Sequence, residues 1–98
     1  MITHQFKQTY PSFYSMFFSH LLGKGLKEND IESLSHNFYY DFFRMLGWTI
    51  DVTWYRSGCY VAEINGMVHY FYVTNKPEAE ELAFLQTAKY IEHGNGND

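Results

Sequence analysis

Glu32 and His36 are the residues whose types and spacing most readily suggest chemistry. They lie four positions apart in a segment with helical periodicity, and positions i and i+4 share one face of a helix. Such a pair could hold two metal ligands, or a general base and the group that orients it. Asp41 is the next carboxylate along, but it lies off the face of His36. A small metal-dependent hydrolase using Glu32 and His36 is therefore one alternative for the function.

Two further residues have reactive side chains. Cys59 is the single cysteine and cannot form an internal disulfide, so we expect a buried, unreactive thiol in a reducing compartment. His69 falls on the predicted core face of a strand, where a hydrogen-bonded core histidine is expected and a pH-sensitive contact is the alternative. The sequence contains no nucleophile elbow, phosphate-binding loop or dinucleotide fingerprint. We therefore expect no enzyme, no metal and no cofactor.

Composition and charge exclude several classes of protein. Of 98 residues, 20% are aromatic and 18% are charged, which excludes an intrinsically disordered chain. Seven lysines and arginines are scattered among eleven acids, giving a net charge of −4, whereas nucleic-acid binding needs clustered cations. The apolar run over 13–22 is too short to span a bilayer. We expect a cytoplasmic protein that binds neither membrane nor nucleic acid directly.

Helical periodicity and end signals predict three helices, over 11–22, 30–46 and 76–93. Residues 1–9 are expected to form an N-terminal extension, and 94–98 a flexible tail. The second helix should present one apolar stripe, formed by Ile31, Leu34, Phe38, Phe42 and Met45.

Two of these helices carry capping signals at their first turn. Asn29 precedes the second helix, with Glu32 three residues later, and Asn75 with Glu78 repeats this spacing at the third.

Between the second and third helices the apolar period changes to two, which predicts strands over 48–55, 59–64 and 67–73. Asn65-Gly66 is a strong signal for a two-residue hairpin, and the segment 56–58 should form a three-residue turn ending in glycine. Together the turns predict a register with the pairs Ile64–Met67, Ala62–His69, Tyr60–Phe71, Tyr55–Cys59, Trp54–Tyr60 and Val52–Ala62.

This register sorts the strand residues onto two faces. The core face should carry Trp48, Ile50, Val52, Trp54, Tyr60, Ala62, Ile64, Met67, His69, Phe71 and Val73. The opposite face should carry Thr49, Asp51, Thr53, Tyr55, Cys59, Val61, Glu63, Val68, Tyr70 and Tyr72. The first predicted helix could cover that second face, or the face could meet another chain.

The expected fold is one α+β domain over 1–98, in the order α-α-β-β-β-α, with a three-stranded antiparallel meander packed against helices. Its last five elements are similar in order to a double-stranded-RNA-binding domain. That family begins its closing helix with lysines, whereas this chain has Glu78, Glu80 and Glu81, which would repel phosphate. A nucleic-acid-binding module that uses the sheet face is the other alternative for the function.

The leading hypothesis is a small non-enzymatic protein that acts by binding another protein. An acidic inhibitor of a nucleic-acid-handling enzyme, of the kind found in phages and mobile elements, would fit this description. The predicted partner-binding residues are Tyr55, Val61, Val68, Tyr70, Tyr72, Asp51 and Glu63, since tyrosine is enriched at interface centres. Self-association into a homodimer is expected through Phe13, Tyr14, Phe17, Phe18 and Leu21.

Overall fold

The computed structural model describes residues 2–31 and 33–94, in which helices precede and follow one antiparallel sheet. The helices before the sheet are α1 (Ile2–Thr9), α2 (Pro11–Gly23), α3 (Glu28–Ile31) and α4 (His36–Met45). The strands are β1 (Ile50–Arg56), β2 (Cys59–Ile64) and β3 (Met67–Phe71), and α5 (Lys76–Glu92) follows them. The predicted α+β class, with a three-stranded meander packed against helices, is confirmed.

The chain divides into two compact units. One comprises Met1–Ser35 with Ala88–Asp98, and the other is His36–Thr87. Helix α5 contributes to both, because its first twelve residues belong to the second unit and its last five to the first.

The first unit is helical and has an aromatic core. The Phe6 ring lies 5.0 Å from that of Phe13 and 6.2 Å from that of Phe17, in edge-to-face geometry that suits the ring quadrupoles. Phe13 and Phe17 are themselves stacked at 6.0 Å. Ile2, Phe6, Phe13, Phe17, Leu21 and Ile31 are all buried.

The N-terminal segment differs from the expectation. Residues 1–9 were expected to be an extension, but helix α1 spans Ile2–Thr9. Its apolar spacing is i and i+4, with Ile2 and Phe6 both buried, and a single pair of this kind is too short a pattern to identify a helix from sequence. Pro11 then begins α2, where its missing N–H costs no intrahelical hydrogen bond.

The second predicted helix is wrong in its extent. Instead of one helix over 30–46, α3 ends at Ile31 and α4 begins at His36. The predicted cap residue Asn29 lies within α3, and its predicted partner Glu32 lies outside the described residues. Asp30 Oδ2 instead accepts a hydrogen bond from the Lys27 N–H at 2.9 Å.

The interruption also changes the buried face. Helical phase restarts at α4, so the buried residues are Tyr39, Phe42 and Phe43, at i, i+3 and i+4. Of the predicted stripe, Phe38 and Met45 are exposed, the latter by 58%.

The strand register is confirmed at nearly every predicted pair. All three pairs predicted between β2 and β3 are present, as are Val52–Ala62 and Trp54–Tyr60 between β1 and β2. Asn65 and Gly66 adopt φ of 49° and 84°, the left-handed values that a two-residue hairpin turn requires. β2 has the predicted bounds, whereas β1 begins later than expected, at Ile50, and β3 ends earlier, at Phe71.

The turn between β1 and β2 is a correction. Cys59 pairs with Arg56 rather than with Tyr55, because the register shifts between Trp54 and Arg56. The bulge takes up one residue within the strand, so the chain reverses over Ser57-Gly58.

An aromatic cluster centred on Phe84 fills the second unit. The Phe84 ring stacks with Tyr39 at 5.2 Å and with Phe43 at 5.8 Å, which connects α5 to α4. Helix α4 in turn packs against β1. The buried sheet residues of this unit include Val52, Ala62 and Ile64.

Two residues expected on the core face are exposed instead: Trp54 by 63% and Met67 by 42%. They occupy diagonally opposite corners of the sheet. A helix is about 10–12 Å wide with its side chains, whereas a seven-residue strand is roughly 23 Å long. A helix packed on the sheet therefore covers a band of the face and leaves corners open.

Candidate functional site

One side of the sheet presents an exposed group of tyrosines, here called the tyrosine face. Its residues are Tyr55, Val61, Val68, Tyr70 and Tyr72, with the acids Asp51 and Glu63. Strand alternation places the strand residues together, because cross-strand partners such as Val61 and Tyr70 share a face, and Tyr72 follows directly after the end of β3. Tyr55, Tyr70 and Tyr72 are exposed by 54%, 51% and 73%, so the alternative in which this face is covered does not hold for them.

The tyrosines of this face are ordered by neighbouring side chains. The rings of Tyr55 and Tyr70 lie 5.5 Å apart at 68°, an edge-to-face pair between the two outer strands. The guanidinium of Arg56 lies 5.8 Å from the Tyr55 ring centroid. The face thus offers two rings in a defined mutual orientation.

Asp51 and Glu63 are direct cross-strand partners on this face, and both are exposed. Like charges directly opposite each other destabilise a sheet. Within residues 2–31 and 33–94, neither carboxylate forms an ion pair. The pair therefore has capacity to accept a cation from outside the chain.

A second constellation is the Glu80 cluster, formed by His36, Tyr40, Glu80 and Glu81. His36 Nδ1 lies 2.7 Å from Glu80 Oε1, and the Tyr40 hydroxyl donates to Glu80 Oε2 at 2.7 Å. His36 Nε2 lies 3.4 Å from Glu81 Oε2. Both oxygens of one half-buried carboxylate are thus engaged by side chains of α4.

Helix geometry explains how the Glu80 cluster forms. His36 and Tyr40 are spaced i, i+4 and therefore project from one face of α4. Phe84 lies one turn after Glu80 on α5, and its ring contacts those of His36 at 5.4 Å and Tyr40 at 4.9 Å, both edge-on. The apolar ring shields one side of the polar contacts.

This environment changes the acidity of Tyr40. Burial raises the pKa of its hydroxyl above the usual value, because ionisation would place a charge where water is excluded. The hydrogen bond to Glu80 and the negative charges of Glu80 and Asp51 raise the pKa further. Tyr40 is therefore held as a neutral donor.

The sequence-predicted catalytic residues are only partly placed by the structure. His36 belongs to the Glu80 cluster, Glu32 lies outside the described residues, and Asp41 accepts a hydrogen bond from Arg44 on the exposed surface at 2.8 Å. No group of three metal-ligating side chains occurs among the residues that the structure describes. Sequence reasoning found His36 but missed Glu80, the residue that brings His36 and Tyr40 together.

The predicted self-association surface needs correction. Phe13, Phe17 and Leu21 are buried, so they are not available to a second molecule. Tyr14 and Phe18 are half-buried, and their rings stack at 5.8 Å. The core of the first unit needs an apolar helix. The sequence alone does not distinguish a helix that packs in a core from one that forms an interface with a second molecule.

Cys59 and His69 both lie at least partly inside the protein. Cys59 is buried, as predicted for an unreactive thiol, although the strand alternation had placed it on the open face. His69 is half-buried, and its ring stacks with that of Phe71 at 6.3 Å.

No protein family, curated protein or solved structure matches the chain. In the part of the chain that the structure describes, no helix has the length and apolar character needed to cross a membrane.

Proposed function

We propose that the chain is a binding protein that acts through protein–protein contact, with the tyrosine face as its interface and a basic protein surface as its partner. The observation that carries this proposal is the exposure of Tyr55, Tyr70 and Tyr72 near the acids Asp51 and Glu63, which form no ion pair within the described residues. Tyrosine supplies large contact area at low cost in conformational entropy, and is enriched among residues that dominate binding energy.

Charge complementarity supports a basic partner. A lysine or arginine placed between Asp51 and Glu63 would relieve the repulsion between the two carboxylates. An arginine could also stack on an exposed tyrosine ring, as Arg56 does on Tyr55 within the chain. The net charge of −4 favours the approach of such a surface.

The class of partner follows from this chemistry. Enzymes that handle nucleic acid have cationic surfaces for the phosphate backbone. An acidic face of this kind can occupy such a surface, which would make the chain an inhibitor of the enzyme. The hydrolase alternative has no comparable support among the described residues, because both ring nitrogens of His36 lie near glutamate oxygens.

Site-specific photo-crosslinking in the source cells tests this proposal. The photoreactive residue p-benzoylphenylalanine replaces Tyr70 in the full chain, and a matched variant carries it at Phe38, which is exposed on α4. We expect one discrete adduct with a different protein from position 70 that is absent from position 38, and mass spectrometry of the adduct distinguishes it from a crosslink between two copies of this chain. The proposal fails if neither position gives an adduct, if both give the same one, or if position 70 crosslinks to nucleic acid.

Titration of the purified partner then tests the charge argument. Replacing the acid pair by D51N with E63Q should raise the Kd about tenfold, equivalent to about 1.4 kcal/mol. The control variant E28Q with D41N removes the same charge from exposed helix positions and should leave the Kd unchanged. Equal weakening by both variants would show that only net charge matters and would remove the tyrosine face from the proposal.

A further inference from the structure

The sheet has two outer strands, β1 and β3, that differ in their protection against pairing with another chain. Outer strands are protected by charged side chains, proline or bulges. β1 contains Asp51, Arg56 and the bulge after Trp54. β3 reads Met-Val-His-Tyr-Phe over Met67–Phe71, with no carboxylate, lysine, arginine, proline or bulge.

The register determines which backbone groups of β3 point away from the sheet. The Asn65 N–H donates to the Thr49 carbonyl at 2.9 Å, so this pair is a hydrogen-bonded one. The direction of the backbone N–H and C=O groups alternates from one residue of a strand to the next. Asn65 directs its N–H towards Thr49, on the β1 side, so Ala62, three residues earlier, directs its N–H and C=O towards β3. In β3 the residues that bond to β2 are then Met67, His69 and Phe71. Val68 and Tyr70 direct their backbone groups outward.

We propose that the outer edge of β3 pairs antiparallel with β3 of a second copy of this chain, about a two-fold axis at His69. In that register Val68 pairs with Tyr70 of the second copy, and Tyr70 with its Val68. These are the residues with outward backbone groups, so the two copies exchange four hydrogen bonds. The sheet becomes six-stranded, in the order β1-β2-β3-β3-β2-β1.

The side chains favour a second copy as the occupant. On the tyrosine face, Val68 and Tyr70 are each 51% exposed, and they would form two cross-strand pairs of a β-branched and an aromatic residue. On the other face, Met67 lies at an open corner and would contact Phe71 of the second copy, a sulfur–aromatic contact. β3 has no carboxylate, lysine or arginine, so no repulsion between such groups opposes the pairing. The pairing uses the backbone groups at the edge of β3, whereas the proposed partner contacts the exposed side chains of the tyrosine face.

Disulfide trapping in the full chain tests the register directly. His69 would face His69 of the second copy across a pair that is not hydrogen-bonded, with Cα atoms about 4.5 Å apart, a separation that a disulfide spans. H69C should therefore form a covalent dimer under mild oxidation. T53C, exposed on β1 of the same sheet, is the matched control and should form no covalent dimer. A concentration-dependent dimer in which H69C stays unlinked would overturn the proposed register.

Sedimentation equilibrium provides the second measurement and keeps the test independent of folding changes at position 69. The unmodified chain should show a monomer–dimer equilibrium, and V68K should raise its dissociation constant at least about tenfold. T53K adds the same charge to the tyrosine face away from β3 and should leave that constant unchanged. A strictly monomeric chain overturns the proposal, as does a dimer weakened by T53K and not by V68K.

Discussion

The Tyr40 hydroxyl donates to Glu80 Oε2 at 2.7 Å, while His36 lies 2.7 Å from the other oxygen of the same carboxylate. Glu80 is half-buried, with 14% of its side chain exposed. A carboxylate in such a place is tolerated when its lone pairs are occupied by donors. The Glu80 cluster therefore links α4 to α5 by directional contacts that supplement the packing around Phe84.

Replacing Glu80 should destabilise the protein more than replacing its neighbour. E80Q removes the negative charge and one of the two acceptor oxygens, so the contacts to His36 and Tyr40 are no longer both hydrogen bonds to a carboxylate. We expect the free energy of unfolding to fall by about 1–3 kcal/mol. E81Q is the matched control, because Glu81 is 44% exposed and lies 3.4 Å from His36, and it should change stability by less than about 0.5 kcal/mol. Urea denaturation of both variants measures this difference, and equal losses would contradict it.

Tyr40 should contribute a stability that is lost at alkaline pH. Its folded pKa is raised, mainly by burial, while in the unfolded chain the tyrosine hydroxyl ionises near its ordinary pKa of 10.0. The contribution is therefore fully present below about pH 10 and falls as pH rises through the folded pKa. Y40F lacks this proton, so the stability difference between the native chain and Y40F should shrink above about pH 10. Urea titrations at a series of pH values measure the difference, and a constant one would contradict the assignment.

The sheet was predictable because its determinants are local. Asn65 and Gly66 set both the turn and the register, and the alternation of β2 and β3 then placed Val61, Val68 and Tyr70 on one face. The error at the β1–β2 turn also comes from using local sequence alone. A bulge and a longer turn accommodate the same number of residues, and short-range composition does not separate them.

The Glu80 cluster was not predictable, because its residues are far apart in the chain. His36 and Glu80 are 44 positions apart, and local spacing instead suggested Glu32 as the partner of His36. One signal was present: Glu80 stands between Ala79 and the apolar positions Ala83 and Phe84, all of which are buried. An acid flanked by buried positions on a helix requires a polar partner from another element.

Asn65 should stabilise the second unit beyond its role in the turn. Its side-chain oxygen accepts from the Thr49 N–H at 2.7 Å and from the Thr49 hydroxyl at 3.1 Å. N65A loses both contacts and places alanine at positive φ, so we expect a loss of about 2–3 kcal/mol. G66A meets no atom within 4 Å and should cost only the conformational term, about 1–2 kcal/mol. Thermal unfolding ranks the variants, and a larger loss for G66A than for N65A would refute the role of the side chain.

Glu92 provides a hydrogen-bond acceptor for the first turn of α2, which has no side-chain cap from its own residues. The residue before the helix, Tyr10, makes no side-chain cap, and Glu92 Oε1 accepts from the Phe13 N–H at 2.8 Å. A carboxylate there satisfies a free donor and interacts favourably with the helix dipole. E92A should therefore destabilise the protein by about 1–2 kcal/mol, and E92Q by less, because the amide oxygen still accepts. The exposed K89A is the control on the same helix. Amide hydrogen exchange should show faster exchange at Phe13 in E92A alone, and unchanged protection there would contradict the contact.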